Sequence, residues 1–260
     1  MDIKPRVGVC LDHADPDQTA YLEELMKTAG LERLTGSPAA YGFSLGFHGN
    51  RLELEHVRDV ESSPLYVDFL AGSSYYRFIH DRRINQPLAK AAGLKAGYRP
   101  LVLDATAGFG EDGFVLASLG CQVTMIERSP VIWALLADAL RRAAENETLG
   151  PLIRQNLKLC RGDSLEYLKN GAPRFDTVYL DPMYPPRSGS ALNRKKMRLL
   201  KELVGDDPDA PLLLKTALGH AVKRVSVKRP KKAGPLGRLA PSFSISAKSS
   251  RYDIYLIPYL

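Results

Sequence analysis

From Pro100 onward the chain repeats one pattern: a short apolar run, a turn carrying an acidic residue or glycine, then a stretch of helical length. The apolar runs are Leu101–Asp104, Gln122–Ile126, Leu157–Cys160 and Thr177–Leu180. Phe114–Leu119, stopped by Gly120, and Pro130–Asn146, opened by proline, predict the helices between them. Strands alternating with helices at this spacing predict a doubly wound, mainly parallel α/β sheet. Residues 193–203 and 210–222 read as further helices, and Val225–Lys228 as a fifth strand. Phe243–Ala247 and Tyr252–Ile257 flank Lys248-Ser-Ser250 and predict an antiparallel hairpin that closes the sheet.

The first third has another rhythm. Val7–Leu11 reads as a buried strand, and Tyr21–Met26, with Asp17 before it and Gly30 after, as a helix. Two alternating runs around Gly49-Asn50 predict a hairpin. The division expected is a small α+β appendage over 1–62 and a catalytic domain over 63–260. Pro64–Gly97 carries an aromatic and basic cluster, Tyr75 to Arg83, then a helix ending at Gly93.

A chain of 260 residues suffices for one large domain and an appendage. No apolar run approaches the roughly 20 residues a membrane span needs, and Val7–Leu11 is too short for a signal-peptide core. The expected location is the cytoplasm. Cys10, Cys121 and Cys160, odd in number and widely spaced, give neither a disulfide framework nor a metal pair. They are expected to be small buried apolar residues, and no metal is expected. Charge is uneven: Met1–Asp181 carries a net −4 and Pro182–Leu260 a net +11. A basic last third fits a polyanionic partner, or a solvated face.

Ligands of open α/β sheets bind beyond the carboxyl ends of the strands. Asp104-Ala-Thr-Ala-Gly108-Phe-Gly110 is therefore a candidate cofactor turn, where glycine lets backbone approach a ligand. It lacks the full glycine pattern that cradles a dinucleotide pyrophosphate, which favours S-adenosylmethionine (AdoMet) over NAD. Glu127, ending the second strand, is placed to accept hydrogen bonds from ribose hydroxyls. Asp163 and Ser164, after the third, would face the adenine. Asp181-Pro182-Met183-Tyr184-Pro185 is the sharpest signal: a variant of the acidic-or-amide, proline, proline, aromatic loop of amino-group methyltransferases. An exocyclic amine on a base is a poor nucleophile because its lone pair is delocalised. An acceptor at 181 favours the pyramidal nitrogen of the transition state. Pro182 stiffens the loop, and Tyr184 offers a face for base stacking. Arg187, Arg194, Lys195, Lys196 and Arg198 follow that loop. Lys228, Arg229, Lys231, Lys232 and Arg238 follow the fifth strand in a Pro- and Gly-rich loop. Both groups are candidate phosphate contacts. Arg77, His80, Arg82 and Arg83 either add to them or serve a docking helix.

These residues resemble the RsmJ family of small-subunit (16S) ribosomal RNA (guanine-N2)-methyltransferases. The likeness runs from Val67 to the end. It rests on Val102–Gly108, Phe114–Ser118, Glu127-Arg128, Tyr179–Met183, Val227–Pro230 and Tyr252–Tyr255. It implies a Rossmann-like class I AdoMet-dependent methyltransferase sheet, with AdoMet contacts at Glu111, Asp112, Glu127, Arg128, Asp163, Ser164 and Asp181. Glu111 departs from the family, where that position is basic. The implied partner is small-subunit ribosomal RNA, free or in a ribosomal subunit. Loop chemistry alone also allows an adenine-N6 methyltransferase on RNA or DNA; rivals from other classes are a catalytically silent RNA-binding protein on the same scaffold, which an intact Asp181 and Tyr184 argue against, and a dehydrogenase.

Overall fold

The structure, a computed structural model, describes residues 6–37, 40–59, 63–81, 83–183 and 201–258. They form two compact units. The first takes in the chain up to Asp68, then Ser129–Arg142 and a segment ending at Asp206. The second takes in Phe69–Arg128, a segment beginning at Ala143, and the chain from Asp207 on.

In the first unit, β1 (Val7–Val9), β2 (Glu32–Arg33), β3 (Phe43–His48) and β4 (Arg51–His56) form a sheet in the order β2-β1-β3-β4. The helix α1 (Pro16–Ala29) starts earlier than Asp17, because Asp15 and Gln18 form a capping box. Asp15 Oδ1 accepts from Gln18 N at 2.8 Å, and Gln18 Oε1 from Asp15 N at 3.2 Å. Gly30, with φ 64°, ends the helix as expected. β3 and β4 make the expected hairpin around Gly49. Phe43, Leu45 and Phe47 alternate inward and are buried. The two-residue strand β2 is too short and polar to be legible in the sequence.

The helix α5 (Pro130–Glu145) supplies Ser129–Arg142 of this unit. Asp138 is fully buried and accepts from Leu52 N at 3.1 Å, Arg141 Nη2 at 3.0 Å and Arg142 Nε at 2.9 Å. Arg142 also donates to Val67 O at 2.6 Å and to Asp68 Oδ1 at 3.3 Å. One buried ion pair thus ties β4, α5 and the 67–68 segment together.

The second unit contains α2 (Gly72–His80), α3 (Pro87–Ala92), β5 (Leu101–Asp104), α4 (Glu111–Ser118), β6 (Gln122–Glu127), α6 (Gly150–Asn156) and β7 (Leu157–Arg161). It continues with α7 (Ser164–Lys169), β8 (Phe175–Leu180), α8 (Ala210–His220), β9 (Ala221–Pro230), β10 (Phe243–Ser246) and β11 (Ser250–Leu256). The strand order is β10-β11-β9-β8-β5-β6-β7. β7, β6, β5, β8 and β9 are parallel, and β11 runs antiparallel to β9 and β10. This is the expected sheet with its closing hairpin. From β5 the chain winds outward through β6 and β7, then returns to the other side at β8. That reversal makes the carboxyl end of β5 a ligand crevice.

On one face Leu103, Val178, Leu180, Val225 and Val227 pack with Leu165, Leu168, Leu213 and Leu214 of α7 and α8. On the other, Phe114 of α4 is buried, its ring stacked on Phe69 at 4.7 Å. α6 has no counterpart in the sequence reading. α4 begins three residues before the expected Phe114, since Gly110 in the left-handed region starts it. Of the helix expected over 193–203, residues 201–203 are described and helical; the rest lies outside the described residues. All three cysteines are free thiols, but only Cys121 is buried; Cys10 and Cys160 are half-buried, which corrects the expectation. Among the described residues no helix is long and apolar enough to cross a membrane.

Asp138→Ala is expected to cost about 3–5 kcal/mol of stability, because it takes the shorter of two counter-charges from the buried Arg142 guanidinium and an acceptor from Leu52 N. A urea titration of the variant beside the parent protein measures it, as a lower midpoint.

Candidate active site

Strand register assembles the site. Asp104 of β5 pairs with Tyr179 of β8, Tyr179 with Ser226 of β9, and Ser226 with Ile254 of β11. Side chains alternate along a strand, so this row lies on the face opposite the Leu103–Val178–Val225 core. Two residues onward, the same face presents Asp181, Lys228 and, across from Lys228, Tyr252. α4 begins at the end of β5's glycine turn and adds Asp112.

Lys228 Nζ donates to Asp112 Oδ2 at 2.7 Å and to Asp181 Oδ2 at 2.9 Å. Tyr179 Oη donates to the same Asp112 Oδ2 at 2.6 Å. Asp181 N donates to Thr106 Oγ1 at 2.6 Å, and Thr106 N to Asp104 Oδ1 at 3.2 Å. The electrostatics follow from burial and crowding. Loss of water pushes the buried Asp104 carboxyl up to about 8, and the neighbouring Asp112 and Asp181 charges add to the shift. Burial also raises Asp181; Lys228 opposes it, while Asp112 reinforces it, and the carboxyl stays above the usual range. Burial works against Asp112 too, but Lys228 and the Tyr179 hydroxyl hold it below the usual range. Burial disfavours the Lys228 ammonium, yet Asp181 and Asp112 overcome this and keep it more firmly charged than an ordinary lysine.

The glycine turn lies beside this cluster. Gly108 and Gly110 have φ of 54° and 73°, so both need glycine's freedom. A Cβ at 108 would meet nothing within 4 Å, so the turn presents an open backbone. Gly108 N donates to Glu127 Oε2 at 2.8 Å, linking the turn to the end of β6. Gly162 N donates to Glu127 O at 3.1 Å, and Ser164 Oγ to Ala105 O at 2.7 Å. Asp163 caps α7, its Oδ1 accepting from Leu165 N at 2.8 Å and Glu166 N at 3.3 Å. Glu111 is exposed. Arg128 ion-pairs with Asp207 and, at 2.9 Å, with Asp209. Asp207 Oδ2 also accepts from Met183 N at 2.7 Å, which fixes the chain just beyond the buried Pro182.

The structure thus brings together Asp104, Gly108, Gly110, Asp112, Glu127, Asp163, Ser164 and Asp181. Tyr184, Arg187, Arg194, Lys195, Lys196 and Arg198 lie outside the described residues, as does Arg82. The fifth strand, expected over Val225–Lys228, is longer: β9 runs Ala221–Pro230, so Arg229 too is a strand residue and not part of the loop. Arg229 is buried and donates to Gly234 O at 3.1 Å. Lys231 and Lys232 are exposed. The aromatic and basic cluster of 75–83 forms α2 and its end, with Phe78 buried 6.3 Å from the Phe114 ring and Tyr76 exposed. Sequence reasoning missed Tyr179, Tyr252 and the Arg128–Asp207 clasp. The alternation Tyr179–Asp181 and Ser226–Lys228 was a usable signal for the first, once β8 and β9 are taken as neighbours. Gly113 was also missed as a packing requirement: a Cβ there would lie 2.6 Å from Met125 Sδ.

A cationic cofactor suits this site. The charges of Asp112 and Asp181, with Asp104 beside them, outnumber the single Lys228 ammonium, and AdoMet carries a sulfonium and an ammonium. A sheet in this order, with a reversed penultimate strand and an acidic glycine turn at its switch point, defines the class of SAM-dependent methyltransferases. A family model described as "Putative SAM-dependent methyltransferase" matches residues 25–257. Over 243 residues the chain is 47% identical to ribosomal RNA small subunit methyltransferase J of Tolumonas auensis, covering 94% of this chain and 96% of that one. Over 218 residues it is 49% identical to the protein of that name from Aeromonas hydrophila, covering 84% and 88%. A solved SAM-dependent methyltransferase from Neisseria gonorrhoeae matches with a TM-score of 0.71 at 32% identity, over 97% of this chain and 96% of that one. The chain belongs to the ribosomal RNA small subunit methyltransferase J family, and it is an AdoMet-dependent enzyme.

Asp104 gives a pH test with a definite sign. Its carboxyl is raised in the fold to about 8, against an unfolded value near 4. The folded state therefore binds more protons between those values, and stability falls as pH rises through that window. Asp104→Asn keeps the shape and cannot ionise. Its melting temperature relative to the parent protein is expected to climb from about pH 4 and level off above about pH 8. Differential scanning fluorimetry across pH reads this directly; a constant offset contradicts it.

Proposed function

We propose that this enzyme methylates the exocyclic N2 amine of a guanine in small-subunit ribosomal RNA. The relatives' names support the RNA, and the observation that carries the chemistry is Asp181, at the carboxyl end of β8 beside the glycine turn. AdoMet would supply an electrophilic methyl group on a sulfonium, whose sulfur would keep the S–CH3 bonding pair and leave as a neutral thioether. Asp181 accepts a hydrogen bond from one amine N–H, which draws the nitrogen lone pair out of the ring. As the nitrogen gains the methyl carbon and releases one proton, the Asp181 carboxylate takes that proton and returns it to water at its partly exposed side. Pro182, buried behind it, and the Arg128–Asp207–Met183 clasp keep the loop in place. Tyr184, three residues past Asp181, supplies a stacking face for the base.

On the cofactor side, Glu127 takes the ribose hydroxyls and orders the Gly108 amide. Asp163, whose Oδ1 caps α7, offers its other oxygen to the adenine amine, with Ser164 next to it. Asp104 and Asp112 face the cationic end. Lys231 and Lys232 are the phosphate contacts among the described basic residues, and Arg187, Arg194, Lys195 and Lys196 extend that set in sequence. Such an enzyme works where ribosomal subunits are made, in the cytoplasm. Free rRNA and an assembled subunit both present the chemistry described.

Asp181→Ala is expected to lower kcat by roughly 10²–10³ with the fold intact, since a transition-state acceptor is lost. Transfer of a labelled methyl group to unmodified small-subunit rRNA measures it, and digestion to nucleosides identifies the base atom. Near-parental turnover sinks the catalytic assignment, and label on an adenine sinks the base assignment.

Replacing Lys231 and Lys232 with Gln is expected to weaken binding to any RNA sequence. Each lost phosphate contact flattens the log–log salt dependence by about 0.7 on a single strand. AdoMet affinity should be unchanged. A parental slope means these lysines are only solvated.

A further inference from the structure

Lys228 was a candidate phosphate contact, but its surroundings assign it another task. Its ammonium is shared between two carboxylates at 2.7 and 2.9 Å, and its side chain is only 28% exposed. Turning it out to an RNA phosphate would leave Asp112 and Asp181 without their common counter-charge. The lysine is also held from behind by the strand: it lies in β9, paired across from Tyr252 of β11, on the same face as Asp181.

We infer that Lys228 is a positioning residue for methyl transfer: its ammonium clamps one oxygen of Asp181 against Asp112 and leaves the other oxygen for the substrate amine. The inference rests on Asp181 being the amine's acceptor. Geometry sets the orientation. Asp181 Oδ2 is held by Lys228 while the Asp181 amide is fixed on Thr106 Oγ1, so both ends of the residue are anchored. Lys228 meets Asp112 through the oxygen that also accepts from Tyr179, so a three-residue chain backs the catalytic carboxylate.

The clamp also governs charge. The groups that act on Asp181 come from every neighbouring element. Asp104 of β5, Asp112 of α4, Tyr179 of β8, Tyr252 of β11 and Asp207 before α8 all disfavour its ionisation or are burdened by it. Arg77 of α2 acts on Asp112 and Tyr252 at longer range. Lys228 is the cation in direct contact, and it lowers Asp181. Without it, burial and the Asp112 and Asp207 carboxylates push the Asp181 carboxyl further up. Because the ionised form is the acceptor, activity is present above that pKa and lost as pH falls through it. Removal of Lys228 therefore moves the acid limb of the pH–rate profile to higher pH.

The test is single-turnover methyl transfer to unmodified small-subunit rRNA at saturating AdoMet and RNA, across pH, with Lys228→Met, Lys228→Gln, Lys228→Arg and Asp181→Ala in parallel. Lys228→Met and Lys228→Gln are expected to be slower at neutral pH by roughly tenfold to hundredfold, the size of a misplacement effect. Their acid limb should shift upward and part of the rate return at alkaline pH. Lys228→Arg should restore the limb, and the salt slope of RNA binding should match the parent in all of them. Should the Met variant fail to fold, the Gln and Arg variants carry the same comparison. A flattened salt slope with an unmoved limb makes Lys228 a phosphate ligand and overturns the inference. A loss uniform in pH that arginine does not repair makes it merely structural and also overturns it. If Asp181→Ala, which has no acceptor, turns over like the parent, the acceptor reading itself has failed; if it is inactive while the Lys228 variants are normal, only the clamp has.

Discussion

Three carboxylates share the carboxyl ends of neighbouring parallel strands and the first turn of one helix, and a single lysine makes their company tolerable. Asp104, Asp112 and Asp181 would repel one another in a region from which water is largely removed. Lys228 bridges two of them with its single positive charge, and Asp104 answers by holding its proton. The sheet's register makes this unavoidable: pairing of Asp104 with Tyr179 and of Tyr179 with Ser226 puts the next inward positions of β8 and β9 at Asp181 and Lys228. Slipping β9 by one residue would put Lys228 into the apolar face and Val227 among the acids. The apolar packing of Val178, Leu180, Val225 and Val227 on the far face thus fixes the chemistry on the near one.

The first unit shows the same logic without chemistry. A buried carboxylate, Asp138, is acceptable because two arginines and a backbone amide surround it. Arg142 in turn spends its remaining donors on Val67 O and Asp68. Removal of either partner leaves a buried charge with only its weaker second counter-charge, Arg141 for Asp138 or Asp68 for Arg142, which is why the pair is costlier to break than a surface bridge. In the candidate site the balance is deliberately incomplete, with negative charge in excess of the one ammonium. A cationic cofactor restores it, and that is the property a methyl donor with a sulfonium can use.

The sequence made the parallel sheet legible because β5, β6, β7 and β8 are apolar runs bounded by punctuation such as Gly120, Gly162 and Asp181. The capping and hairpin glycines at 30 and 49 were equally plain, since positive φ narrows the choice of residue. Short or polar elements were not: β2 has two residues, and α6 starts with Gly150-Pro151 and offers no long apolar period. The site residues at strand ends were visible as carboxylates next to turns. What joins them was not, because Lys228 to Asp112 spans 116 residues and depends on which strands are neighbours. Arg128 illustrates the same limit: nothing near it in sequence announces Asp207 and Asp209 as its partners.

The basic last third of the chain is therefore not one surface. Over five residues, Lys228 faces the acidic cluster, Arg229 turns to the opposite side and closes on Gly234 O, and Lys231 and Lys232 emerge into solvent beyond Pro230. Alternation along β9 separates the first two, and the proline that ends the strand releases the others. Arg251 secures that exit by donating to Pro230 O at 3.1 Å and Lys231 O at 2.8 Å while paired with Asp253. A net charge counted along the sequence treats these cations as equivalent. Their burial divides them: one balances the carboxylates of the site, two hold the strand and its exit in shape, and Lys231 and Lys232 are exposed, as is Arg238.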